Sequence, residues 1–177
     1  HPKCWHRDEG QTKPVPRPAM IAAVTDGAGV LQGVHRTWLA PDGQDKAAVD
    51  TPRRAMGHLL GNAVRIALAD QTLVLGEGIE TMLSVREAAP SLPVWAALSS
   101  GHLGAVLLPD GLQRLYIAID RDPAGQRAAE RLTARATEAG IAVMVLEPQL
   151  GDFNDDLRAH GAEALRQHLA EQIDLKD

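Results

Sequence analysis

Aromatic residues are nearly absent from this chain: three Trp, one Tyr and one Phe in 177 residues. A platform for stacking successive unpaired bases needs several exposed rings, so that mode of binding is excluded. Any contact with nucleic acid would run mainly through phosphates. Cysteine is scarcer still. The lone Cys4 excludes a disulfide framework. Together with His1 and His6 it puts three candidate ligands within six residues and no second pair nearby, a poor tetrahedral zinc site; a frayed terminus is expected there. His35, His58 and His102 have no Cys or acidic partner at a ligand spacing, and ordinary core or surface roles are expected for them. No G-x-S-x-G occurs, and Cys4 lies in the lead-in, so nothing supports a Ser or Cys nucleophile. Tyr116, the single tyrosine, sits inside an apolar strand and reads as core. No apolar run is long enough to span a bilayer. The opening HPKCWHRDEG lacks the apolar stretch of a signal peptide. A cytoplasmic location with no membrane partner is the expectation. The chain has no initiator Met and reads as a piece of a longer protein.

What is present is acid, unevenly spread. The net charge is −5, yet residues 1–70 carry nine Lys/Arg against seven Asp/Glu, whereas residues 71–177 carry nine against sixteen. Clustered carboxylates repel unless a cation neutralises them, and a divalent ion would reverse the local sign and admit phosphate.

The hydrophobic pattern changes near residue 71. Residues 1–18, with Pro2, Pro14, Pro16 and Pro18 among many charges, read as a linker or irregular lead-in. AMIAAVT (19–25), the turn DGAG and VLQGVHRTWL (30–39) read as a β-hairpin, followed by a polar loop over 40–52. Residues 53–66 are ambiguous, broken by Gly57 and Gly61. From there strands and helices alternate: TLVLG (72–76), a helix over 79–89, a strand over 93–99, a short helix capped at Ser99 or Ser100, a strand over 112–119, a helix over 122–140 with Pro123 in its first turn and Gly140 past its end, a strand over 141–147, and one or two helices over 154–173 interrupted near Gly161. Near-continuous apolar strands joined by helices imply a parallel sheet covered on both faces. The expected fold class is α/β, a Rossmann-like parallel sheet flanked by helices, with a small N-terminal β-rich subdomain over 19–70 and the main domain over 71–177.

Three of the expected strands end in acid. Glu77 and Glu80 follow the first, Asp120 and Asp122 a later one, and Asp152, Asn154, Asp155 and Asp156 the last. In a parallel sheet the C-terminal strand ends share one edge, where ligands bind. Oxygen donors without Cys or His suit Mg²⁺ or Mn²⁺ over Zn²⁺. Gly76 and Gly78 flank Glu77 and would let a phosphate or metal approach the backbone. Each acid alone is equally explained as a turn residue or helix cap: Asp122 could cap the helix that opens at Pro123, and Glu80 could be a surface acid favoured by the helix dipole. Three strand ends together favour a shared site.

The segments GEGIETMLS (76–84), AIDRDPAGQRAA (118–129) and GDFNDD (151–156) resemble the Toprim family, which includes bacterial primases, topoisomerases, recombination-repair proteins and nucleases. That resemblance covers about residues 71–160 and implies a Toprim fold. It implies that Glu77 is a catalytic acid/base, that Asp120 and Asp122 bind Mg²⁺, and that Asp152 is a further metal-site acid. Glu80, Asn154 and Asp155 would stand behind them. Thr81 occupies a position where many primases carry Asp. VTDGAGVLQGVHRTWL and DKAAVDTPRRAMGHLLG are similar to the stretch before Toprim in bacterial primases. On that pattern Arg36 and Lys46 would contact nucleotide phosphate or template, with Arg53 assisting. The likeness is nearest to Toprim proteins of plasmids and integrative elements.

The function so implied is Mg²⁺- or Mn²⁺-dependent nucleotidyl transfer on a nucleic-acid template, as in a DNA primase that makes RNA primers within a larger replication or mobile-element protein. The expected partners are single-stranded DNA, nucleoside triphosphates, and a helicase or upstream zinc-binding segment. A Toprim-type metal-dependent nuclease and a non-catalytic nucleic-acid-binding module are the alternatives.

Overall fold

The computed structural model describes residues 1–173. The chain opens with β1 (Cys4–His6) and β2 (Val15–Arg17), an antiparallel ribbon. The expected irregular lead-in is therefore ordered, and the reason lies in a residue further on. Trp38 is fully buried, and its indole N–H donates to the Cys4 carbonyl at 3.1 Å. His6, itself buried, packs edge-on against the same ring at a centroid distance of 4.6 Å. A buried indole needs both apolar cover and an acceptor, and the ribbon supplies the two together. His6 and Cys4 are thus packing elements of the fold.

A three-stranded antiparallel sheet follows, with β3 (Ala19–Thr25), β4 (Leu31–Trp38) and β5 (Arg53–Gly57) in that order. Asp26 organises the β3–β4 turn. Its carboxylate accepts from the Ala28 and Val30 amides and from the Gln32 side chain. Alternation along β4 sends Gly33, His35 and Thr37 to one face and Val34, Arg36 and Trp38 to the other. Across the ladder, Met20 lies opposite Thr37, which lies opposite Arg53.

The ambiguous stretch after Gly57 contains β6 (Val64–Arg65), a two-residue strand that joins the main sheet. That sheet continues with β7 (Thr72–Gly76), α1 (Ile79–Ala88), β8 (Val94–Ala96), α2 (Ser100–Leu103), β9 (Arg114–Ala118), α3 (Pro123–Glu138), β10 (Ala142–Leu146) and α4 (Phe153–Gln172). Its strand order is β10-β9-β7-β8-β6, parallel except for the antiparallel edge strand β6. Helices cover both faces, as the apolar strands require. Val74, Tyr116 and Leu146 pack with Met82 and Val85 of α1 and with Phe153, Leu165 and Leu169 of α4. Leu73, Leu75, Leu115 and Ile117 pack with Leu103 of α2 and Leu132 and Ala136 of α3. α4 breaks at Gly161, whose φ of 82° lies in the left-handed region.

The two sheets are separate but joined by packing and one isolated bridge. Val24 of β3 packs in the same cluster as Val74 and Tyr116, and Thr25 bridges to Ala63 just before β6. The inner face of the small sheet is thereby held over the C-terminal edge of the large one. Leu98, just past β8, has φ of 80°, the only positive φ outside glycine among the described residues. Its amide donates to the Glu77 carbonyl at 2.8 Å, which ties the β8 exit to the β7 exit. Among the described residues no helix is long and apolar enough to cross a membrane.

Candidate functional site: an acidic sheet edge facing a basic wall

The C-terminal ends of β7, β9 and β10 lie on one edge because the three strands run parallel. Glu77 leaves β7, Asp120 follows β9, and Asp152 follows β10. All three line a single cleft of about 640 Å³, within the usual range of small-molecule sites. The Arg121 amide donates to the Gly151 carbonyl at 2.8 Å and fixes the Asp152 loop beside Asp120. Asp156, fully buried, accepts from the Gln149 and Leu150 amides at 2.8 Å each and holds the same loop from beneath. Gly125 in the first turn of α3 permits a tight approach: a Cβ there would sit 2.7 Å from the Asp120 carbonyl oxygen.

The electrostatics record this convergence. Burial, then the negative charges of Glu77, Asp152 and Asp122, push the Asp120 carboxyl up to about 6. Burial and the charge of Asp122 also raise Glu77, with Arg53 opposing. One carboxylate oxygen of Asp120, Oδ1, is buried with no hydrogen-bond partner. Burial acts against ionisation of Glu80, but the hydrogen bond and charge of Arg53 outweigh it, and that carboxyl is held below its ordinary value. The Arg53–Glu80 pair closes at 2.8 Å and spans from β5 to α1 across the cleft.

Two of the acids also serve as helix caps. Asp122 accepts from the Ala124 and Gly125 amides at 2.8 and 2.7 Å, and it does not line the cleft. Asp152 accepts from the Asp155 amide at 2.8 Å and does line it. Among the described residues no three His, Cys, Asp or Glu side chains close around one point. The donor set nevertheless fits a hard cation. It is made of oxygen alone, it contains an unpartnered buried carboxylate oxygen, and burial together with neighbouring negative charge raises the carboxyls of Asp120 and Glu77.

The other residues singled out from the sequence divide. Lys46 and Arg53 line the cleft, as do Gly78, Glu80, Asn154 and Asp155. Lys46 reaches it because the loop after β4 folds back in a bridge between Leu39 and Lys46. Arg36 does not enter the cleft. It lies on the opposite face of β4, with its guanidinium 5.1 Å from the centre of the Trp38 ring. Gly76 is buried between Met82 and the Ala118 carbonyl, so its small size serves strand–helix packing and not ligand approach. Thr81, also buried, lines the cleft beside Gly78, with its Oγ1 3.1 Å from where a Gly78 Cβ would stand. His35, expected to have an ordinary core or surface role, lines the cleft, as do Thr37 and Arg158, which the sequence did not single out. The signal for the first two was the period-2 alternation of β4: if Trp38 faces the ribbon, His35 and Thr37 must face the acids.

A Toprim domain model matches residues 72–163, and a domain of unknown function (DUF7146) matches residues 1–66. No curated protein matches the chain. Among solved structures, the primase fragment of the bacteriophage T7 primase-helicase superposes with a TM-score of 0.64 at 19% identity, over 89% of this chain and 65% of that one. The E. coli primase catalytic core gives 0.62 at 15% identity, over 96% and 57%. The RNA polymerase domain of Mycobacterium tuberculosis primase DnaG gives 0.59 at 20%, over 93% and 59%. At these identities the likeness is one of fold, and the chain spans less than two thirds of each of these structures. The Toprim match takes in more than half of the 177 residues and contains all three acidic strand ends, and the protein belongs to the Toprim family.

Proposed function

We propose that this cleft carries out metal-dependent nucleotidyl transfer on a nucleic-acid template, in the manner of a DNA primase that makes RNA primers. The observation that carries the reading is the facing of two walls. Glu77, Asp120 and Asp152 stand on one side; Lys46, Arg53 and Arg158 supply positive charge around the same space. Neither wall alone suits a nucleoside triphosphate. Carboxylates reject it, and cations without a metal site do not activate it.

In this reading Asp120 and Asp152 would hold Mg²⁺ or Mn²⁺, with Asp122 near enough to contribute its charge. The bound cation would neutralise the acids and polarise a phosphoryl group. Lys46 and Arg53 neutralise charge on the triphosphate as it develops. Glu77, whose carboxyl is held above its ordinary value, accepts the proton of the attacking hydroxyl. Arg53 would exchange its bond to Glu80 for one to phosphate. The β-rich part over 19–70 would supply Lys46 and Arg53, and the part from residue 71 the acids and Arg158. Single-stranded DNA is the template, and a helicase or zinc-binding segment would act with the site in a longer protein.

The test is primer synthesis by the purified protein on single-stranded DNA with ribonucleoside triphosphates and Mn²⁺ or Mg²⁺. Template-dependent oligonucleotides, lost in Asp120→Asn and Asp152→Asn, support the reading. Metal-dependent cleavage of DNA without synthesis would replace it with a nuclease. Absence of any metal-dependent binding or reaction would reduce the protein to a binding module.

A further inference from the structure

The inner face of β4 carries two polar side chains that the fold leaves unpartnered. His35 is 8% exposed and Thr37 is 1% exposed. His35 Nδ1 and Thr37 Oγ1 are buried and have no hydrogen-bond partner. Both residues line the cleft. A buried donor or acceptor left without a partner is a rare and costly feature, so such a pair on the wall of a cleft needs a reason. Neither residue has a role in holding a cation or in neutralising phosphate.

Their surroundings say what they could meet. Across the ladder Thr37 has Met20 on one side and Arg53 on the other, and Leu39 and Leu98 line the same cleft, so the two polar groups stand where apolar lining meets the basic edge. Phosphate prefers cations and clusters of N–H groups. A hydroxyl and an imidazole, each able to donate and accept, suit the hydroxyls of a sugar or the edge of a base. The placement is also suitable. Thr37 lies opposite Arg53, whose guanidinium reaches Glu80 on the acidic side. The β4 wall is therefore joined to the acidic side through its neighbour Arg53, and both line the same cleft. A nucleotide with its phosphates at the acids and Lys46 would lay its nucleoside here.

We infer that His35 and Thr37 form the nucleoside-recognition subsite of the cleft, hydrogen-bonding the sugar hydroxyls or base edge of the bound nucleoside triphosphate. This inference rests on the nucleotidyl-transfer reading, because it takes the phosphates to lie at the acids. It makes the inner face of β4 the element that selects the nucleotide, while the acids, Lys46 and Arg53 bind what all nucleotides share. The two residues bind and select; they do not take part in the chemistry.

The experiment compares binding of GTP, dGTP and inorganic tripolyphosphate, each with Mn²⁺, to the wild-type protein, Thr37→Val, Thr37→Ser and His35→Gln by calorimetry. Thr37→Val is near-isosteric and removes an unpartnered buried hydroxyl, so its melting temperature should be equal or higher, which keeps the variant usable. Thr37→Val is expected to bind GTP roughly 3- to 10-fold more weakly, as for one lost hydrogen bond. Thr37→Ser should restore binding. His35→Gln is expected to show a loss of similar size, and tripolyphosphate should bind all four proteins equally. A loss for GTP but not dGTP assigns the contact to the sugar 2′-hydroxyl; an equal loss for both assigns it to the remaining sugar hydroxyl or the base. Unchanged GTP affinity in both Thr37→Val and His35→Gln, or a parallel loss of tripolyphosphate, overturns the inference while leaving the nucleotidyl-transfer reading intact. Failure of the wild-type protein to bind tripolyphosphate or nucleotide with Mn²⁺ removes that reading, and the subsite with it.

Discussion

Replacing Asp120 by asparagine removes one negative charge from the centre of the acidic edge and leaves the side-chain shape almost unchanged. The Asp120 carboxyl titrates at about 6 instead of its ordinary 3.8, chiefly through burial and then through Glu77, Asp152 and Asp122. A folded-state value above the unfolded one means that the ionised group opposes folding. The opposition is absent below about pH 3.8, grows as pH rises through about 6, and is complete above it. The full elevation is equivalent to about 3 kcal/mol. The side chain is only about half buried, so solvent screening brings the figure to about 1–2 kcal/mol. For a domain of this size that is a gain of roughly 2–8 °C in melting temperature for D120N at pH 8. Melting curves by circular dichroism in EDTA, at pH 8 and pH 4, measure it. D120N should melt higher at pH 8 and level with the wild-type protein near pH 4. Added Mn²⁺ should stabilise the wild-type protein and leave D120N unmoved. A D120N protein that melts lower at pH 8, or a gain of equal size at both pH values, would refute the argument: the first would make Asp120 a structural residue, and the second would exclude charge repulsion as the cause.

Four further substitutions probe the parts around it. Asp156→Ala removes a buried carboxylate that accepts two loop amides, and a loss of about 2–4 kcal/mol is expected in urea denaturation. Gly125→Ala forces a Cβ against the Asp120 carbonyl oxygen, and calorimetry should show about 1–3 kcal/mol of destabilisation together with weaker Mn²⁺ binding. Arg53→Ala breaks an ion pair with a half-exposed arginine, so stability should fall by less than about 1 kcal/mol. The same change should markedly weaken tripolyphosphate binding and raise the Glu77 and Asp120 carboxyls further, readable as a pH shift in Mn²⁺ affinity. Arg36→Ala, on the outer face over Trp38, should cost stability through lost packing while leaving tripolyphosphate affinity unchanged.

The elements were most legible where local chemistry and periodicity agree. Pro123 and Gly140 bracket α3, Gly161 interrupts α4, and the apolar runs of β7, β9 and β10 announce buried parallel strands. Placement of the acids at strand ends followed from those runs. Three features did not follow. β6 is two residues long within a loop, too short for any pattern, and exists because β8 offers an open edge. The ribbon of β1 and β2 looks like a proline-rich lead-in, and only the burial of Trp38 explains why it pairs. The resemblance put Arg36 at nucleotide phosphate or template, but Trp38 sits on the same face of β4 and turns that face toward the ribbon.

By itself the sequence determined the parallel sheet, the order of its helices and the gathering of Glu77, Asp120 and Asp152 along one edge. Those follow from rules that act within a few residues: apolar continuity, helix caps, and the direction of each strand. Only the tertiary structure decided which face of β4 meets the acids, that Asp122 is committed to capping α3, and that Gly76 serves packing. Such choices depend on which partner surface each element finds, and a partner distant along the chain leaves no mark on the local pattern.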